Sequence, residues 1–167
     1  MLFRSRLEQP RRLEHPVVES RTSSVTQPYM TVLRRDEGWR LWFNSRSEIR
    51  LADSSDGVHW RNFRTVWKLR HAFGAGLVDD APGASDPTRR YKLADWQATP
   101  EKEDKPGDDG GMAVGFSSDG ERWRPYEKNP VLRTWPQDWP TMARDGVGDT
   151  IDVHRDDLLG QIGRAHV

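Results

Sequence analysis

Apolar and polar residues alternate along this chain in short runs, and Gly, Pro, Asp and Asn close the runs. That period of two is the pattern of half-buried strands, whereas the 3.6-residue period of a helix is scarce. A first set of runs reads YMTVLRR (29–35), WRLWFNS (39–45), EIRLADS (48–54) and VHWRNF (58–63). With DEG (36–38), RS (46–47) and SDG (55–57) as turns, they predict four antiparallel strands paired in sequence order. A second set reads GAGLVDD (74–80), RRYKLADW (89–96), GMAVGFSS (111–118) and ERWRPY (121–126). A third begins at GDTIDVHRD (148–156), with DDLLG (156–160) as its first turn.

The sets also share a motif. SSDGVHW (54–60) returns as SSDGERW (117–123), 63 positions later. Ser and Asp side chains cap backbone N–H groups, Gly takes the positive φ of a tight turn, and Trp brings a large apolar surface directly after it. The motif therefore marks the turn from third to fourth strand in each unit, with Trp60 and Trp123 expected to be wedged between sheets. EHPVV (14–18) and KNPVL (128–132) fall in equivalent places, each ahead of a new first strand. The second unit is longer because QATPEKEDKPGDDGG (97–111), polar and rich in Pro and Gly, separates its second and third strands as a solvated loop.

Tandem Trp-rich four-stranded meanders are the sequence signature of β-propeller blades. The expected fold is all-β: a partial β-propeller over 6–161 with two four-stranded antiparallel blades, 29–63 and 74–126, and the start of a third, 148–160. One blade cannot bury both of its apolar faces, and a closed ring takes about four to eight blades, so further blades are expected beyond this segment. The extreme ends, MLFRS (1–5) and IGRAHV (162–167), resemble the translated read-through of a sequencing adapter and are set aside.

Composition narrows the partners. The formal charge is zero, with 26 basic and 26 acidic residues, which is no footprint for nucleic acid or an anionic membrane. No apolar run approaches the roughly 20 residues of a membrane span. The chain has no Cys, which excludes disulfides and thiolate chemistry. Hydrophobic content is only 34%, yet eight Trp, five Phe and three Tyr argue for a packed fold. His15, His59, His71 and His154 show no clustered or i,i+4 spacing, so a metal site is not expected.

The S-x-D-G-x-x-W turn, the NPVL connection and GLVDDAPGASDPTRRYKL (76–93) together resemble the five-bladed propellers of glycoside hydrolases, the group around families 32, 43, 62, 68 and 117. The motif is also similar to the sialidase Asp-box, but both copies here have one residue fewer between Asp and Trp. The resemblance implies a cofactor-free enzyme that cleaves glycosidic bonds, a carbohydrate partner and, as in many members, a secreted or periplasmic location.

Blade geometry places the candidate chemistry. If first strands start at the top of the disc beside its axis, the 1→2 and 3→4 turns lie at the bottom. Ser54, Asp56, Ser117 and Asp119 are then structural, as are Asp79, Asp80 and Asp86 in the first hairpin turn of the second blade. The top receives 19–28, 65–73, 97–110 and 133–148, where binding residues of a propeller are expected. Glycoside hydrolysis uses two carboxylates, and the resemblance implies that they stand near the starts of innermost strands. Those starts are Pro28-Tyr29, Gly74-Ala75 and Gly148-Asp149. Asp149 is therefore the catalytic or pKa-setting candidate, and Asp145, four residues earlier, the second. Asp152 is expected to make an internal hydrogen bond or ion pair. The charged run 101–109 reads as solvated loop, and Trp135 and Trp139 either stack on sugar rings or pack on Pro136 and Pro140. The expected function is that of a glycoside hydrolase-like propeller, and the alternative is a non-catalytic propeller that binds carbohydrate or protein.

Overall fold

The computed structural model describes residues 13–14, 26–45, 48–68, 73–81, 83–98, 110–133, 151–156 and 161–165. These form an all-β partial propeller. The first sheet is β1 (Thr26–Arg35), β2 (Gly38–Ser45), β3 (Glu48–Ser54) and β4 (Arg61–Lys68), antiparallel and in sequence order. The second contains β5 (Phe73–Asp79), β6 (Tyr91–Ala98) and β7 (Gly110–Ser117), with an outer strand in two pieces, β8 (Arg124–Pro125) and β9 (Leu132–Arg133), both on β7. β10 (Asp152–Asp156) and β11 (Gln161–Ala165) pair as a third, two-stranded sheet. β11 overlaps the segment set aside as adapter-like; its pairing is through the main chain and says nothing of that segment's origin.

The fourth strands differ from expectation. In the first sheet β4 starts at Arg61 and runs to Lys68, so Trp60 precedes the strand and 65–68 belong to the sheet. In the second, KNPVL lies inside the outer strand. Between β8 and β9 the chain loops out, and Asn129 fills the gap in the ladder. Its Oδ1 accepts from Val114 N and its Nδ2 donates to Val114 O, both at 2.9 Å. One side-chain amide thus replaces a backbone partner, a pairing that periodicity cannot show. Asn129→Ala would leave Val114 N without its partner, while Val114 O keeps the bond from Tyr126 N at 2.9 Å. The loss is expected to cost about 1–3 kcal/mol, read as a lowered urea midpoint, and an unchanged midpoint would contradict this role.

The two SSDG turns are alike in the bonds that their Ser and Asp side chains make to the backbone and to each other. They differ in that Trp123 Nε1 donates to Gly120 O and His59 Nδ1 meets Asp56. Ser54 Oγ donates to Asp56 at 3.0 Å and accepts from Gly57 N at 2.9 Å. Ser117 Oγ repeats both distances with Asp119 and Gly120 N. The Asp carboxylates accept from Val58 and His59 N, and from Glu121 and Arg122 N. Gly57 and Gly120 supply the positive φ, 78° and 77°. The structural reading of Ser54, Asp56, Ser117 and Asp119 is what this geometry shows.

The three sheets stack in series. Trp42, Ile49 and Leu51 of the first sheet pack against Leu77, Tyr91 and Leu93 of the second, with Leu33, Trp67 and Trp123 around them. Each fully buried aliphatic side chain contributes roughly 1.5–3 kcal/mol. On its other face the second sheet buries Ala94 and Trp96 against Ile151, with Val153 alongside. The first strands are neighbours. Leu77 N donates to Thr31 Oγ1 on β1 at 3.3 Å. On the other side β5 approaches β10 so closely that a Cβ on Gly76 would lie 2.6 Å from Val153 N. Only glycine leaves that space.

Trp123 therefore lies between sheets, edge-on to Trp67 with ring centroids 6.0 Å apart. Trp60 packs on Leu41, Phe43 and Ala52 of its own sheet, and no second sheet covers it among the described residues. The expectation of two wedged indoles is met by one.

Candidate functional site

Asp149 and Asp145 lie outside the described residues, as do Trp135, Trp139 and the charged run 101–109. The nearest described position to Asp149 is Ile151, 5% exposed and packed on Ala94 and Trp96. Asp152 is exposed, and no ion pair or hydrogen bond engages its side chain among the described residues. The expected internal pairing is not seen among the described residues: the Asp152 carboxylate lies along β5, its Oδ1 3.0 Å from where a Cβ on Gly76 would stand, with no donor there to pair it.

The structure brings forward an acid that sequence reading passed over. Asp95 on β6 is 1% exposed. It pairs in register with Ala75 on β5 and Ala113 on β7, near the end where the first strands begin. Strand alternation places it on the same face of β6 as Tyr91 and Leu93, toward the first sheet. Gln97 Nε2 donates to its Oδ2 at 2.9 Å, and its Oδ1 has no partner among the described residues. Burial disfavours the charged form, and the single amide hydrogen bond offsets little of that, so its pKa rises to about 7. Asn44 on β2, 1% exposed, also has no partner for Nδ2 among the described residues, and it borders a small void with Ala75 and Leu93 between the sheets. The one signal in the sequence is the parity of RRYKLADW: Tyr91, Leu93 and Asp95 share a face, and an acid in an apolar row is anomalous.

The acids at the opposite end behave otherwise. Asp79 takes Arg90 at 2.8 Å and Arg35 from the first sheet. Asp80 takes Lys92 and, from β10, Arg155 at 2.8 Å. One turn of the second sheet thus ties down both neighbours. For Asp79, burial pushes the pKa up, but Arg90, Ala81 N and Arg35 outweigh it and hold the carboxyl below its usual range. Asp86 caps a short 3-10 turn, Pro87–Arg89, through Thr88 N. All three are structural, as expected.

A polar recess of about 450 Å³ opens at that same bottom end, between Arg35, Glu37, Trp39, Asp53, Arg61 and Asn62. Trp39 there carries Arg34 over its ring, 5.8 Å from the centroid, and Gly57 stands against the indole.

Comparison with protein-family models, curated proteins and solved structures finds no match for this chain.

Proposed function

We propose that the chain is part of a glycoside hydrolase-like propeller that acts on poly- or oligosaccharide through carboxylates at the end of the sheets where the first strands begin. The observation that carries the reading is Asp95. An acid that keeps its proton to about pH 7 at that end is the kind of group an oxocarbenium-type hydrolysis needs beside an ionised partner, and Asp149 is the partner proposed. Asp95 acts there as a proton-holding, positioning residue. A second reading, a propeller that binds carbohydrate or protein without turnover, is favoured by the sealing of Asp95 at 1% exposure.

The test incubates the full chain with a panel of plant, algal and host polysaccharides, following both reducing-end release and retention on the immobilised glycan. Release at a rate above the uncatalysed control supports the hydrolase. Retention without release supports the binding propeller, and neither signal across the panel overturns carbohydrate as the partner.

A further inference from the structure

The two SSDG turns share their Ser and Asp bonds to the backbone and differ in what meets them from outside, because the second one is docked. Arg40 Nη1 donates to Asp119 O at 3.0 Å and Trp42 Nε1 to Gly120 O at 2.8 Å. Glu121 Oε1 takes Arg40 at 3.0 Å and Arg64 at 2.7 Å. The turn is thus a receptor for the preceding sheet, and the face beside it is covered by that sheet's Trp42, Leu51 and Trp67.

Register carries this onto the first sheet. Trp39 pairs with Ser54 as Tyr91 pairs with Ser117, so Leu41 stands where Leu93 does, and Trp60 where Trp123 does. On that face Met30, Val32 and Phe63 are 55%, 44% and 42% exposed. Val32 is the cross-strand partner of Leu41, Met30 that of Phe43, and Phe63 sits edge-on to Phe43 with centroids 6.2 Å apart. They form one apolar surface. Among the described residues the buried Trp60 indole N–H has no partner, whereas that of Trp123 donates to Gly120 O at 3.1 Å, and no side chain donates to Gly57 O. Val58, 39% exposed, stands where Glu121 stands in the docked turn.

We propose that this face is the seat of a further four-stranded sheet of the same repeat, laid on Leu41, Phe43 and Trp60 and hydrogen-bonded to the Ser54–Gly57 turn as the first sheet is to Ser117–Gly120. With Val58 in place of Glu121, the arriving sheet brings an apolar group there, not the Arg40–Arg64 pair. A second copy docking head-to-tail fits less well, since the exposed residues of β10 include the polar Asp152 and His154. The inference rests on the fold and is independent of the hydrolase reading.

The test has two stages. The full chain should bind the dye anilinonaphthalene sulfonate, and Val32→Glu with Phe63→Lys should abolish binding while leaving the denaturation midpoint unchanged. Next, residues 26–72 are repeated once ahead of Thr26, so that the natural 69–72 segment joins the copies. The added copy carries Val32→Glu and Phe63→Lys to silence its own outer face. The receiving copy carries Val58→Glu to engage the added Arg40 and Arg64. Dye binding should fall several-fold relative to the original chain carrying Val58→Glu alone, and Trp42→Ala in the added copy should restore it. Dye binding as strong as in that control would overturn the proposal. So would a stoichiometric dimer of the original chain that binds no dye, which would assign the face to a second copy.

Discussion

Asp95→Asn is expected to abolish a loss of stability that the parent chain suffers between about pH 4 and pH 7. In the unfolded chain an Asp titrates near 3.9, whereas folded Asp95 holds its proton to about 7. Between those values the folded state retains a proton that the unfolded state has released, so each rise in pH favours unfolding. Above about 7 both states are ionised and the full cost is felt. At 1.36 kcal/mol for each tenfold change in proton affinity, that cost is roughly 4 kcal/mol. Asn can still accept from Gln97 Nε2 but carries no titrating proton. It leaves one polar atom unpartnered, as Asp does, so its effect at low pH is within about 1–3 kcal/mol. Urea midpoints at half-unit steps from pH 4 to pH 8 separate the two effects, because only the slope reports the proton. Parallel slopes in parent and variant would show that Asp95 ionises normally in the folded chain.

Asp149→Asn is expected to lower glycan turnover by about 10²–10⁴-fold, the usual contribution of a general acid or base, with the midpoint of unfolding retained. An amide neither exchanges a proton at neutral pH nor supplies the negative charge that tunes a neighbouring acid. Asp119→Asn is the matched control. Asp119 Oδ1 accepts from Glu121 N and Arg122 N at 2.8 Å, a duty an amide oxygen can share, and the turn lies at the far end of the sheets. It should lose some stability and no turnover. If Asp149→Asn hydrolyses a substrate of the parent at a near-normal rate, Asp149 only caps the entry to its strand, where Asn accepts the same hydrogen bonds.

Strand content and order were legible because each strand must alternate to bury one face, and because Ser-Ser-Asp-Gly has few backbone conformations open to it. The seven residues at 54–60 and 117–123 therefore determined two equivalent turns, and the structure repeats their Ser and Asp bonds to the backbone. Local chemistry also marked Asp79, Asp80 and Asp86 as turn residues; that Asp86 caps a 3-10 turn came from the structure. What those residues reach across to was not legible: Asp79 meets Arg35 and Asp80 meets Arg155, 44 and 75 positions away, distances over which no periodicity carries information. The outer strand of the second sheet escaped for a different reason, since Asn129 supplies from a side chain what strand patterns expect from the backbone. Asp95 shows the division most plainly. The sequence by itself determined that this acid shares a strand face with Tyr91 and Leu93. Only the stacking of one sheet on another decided that the face is sealed from water, and the loss of that water, with one amide to replace it, is what lifts its pKa to about 7.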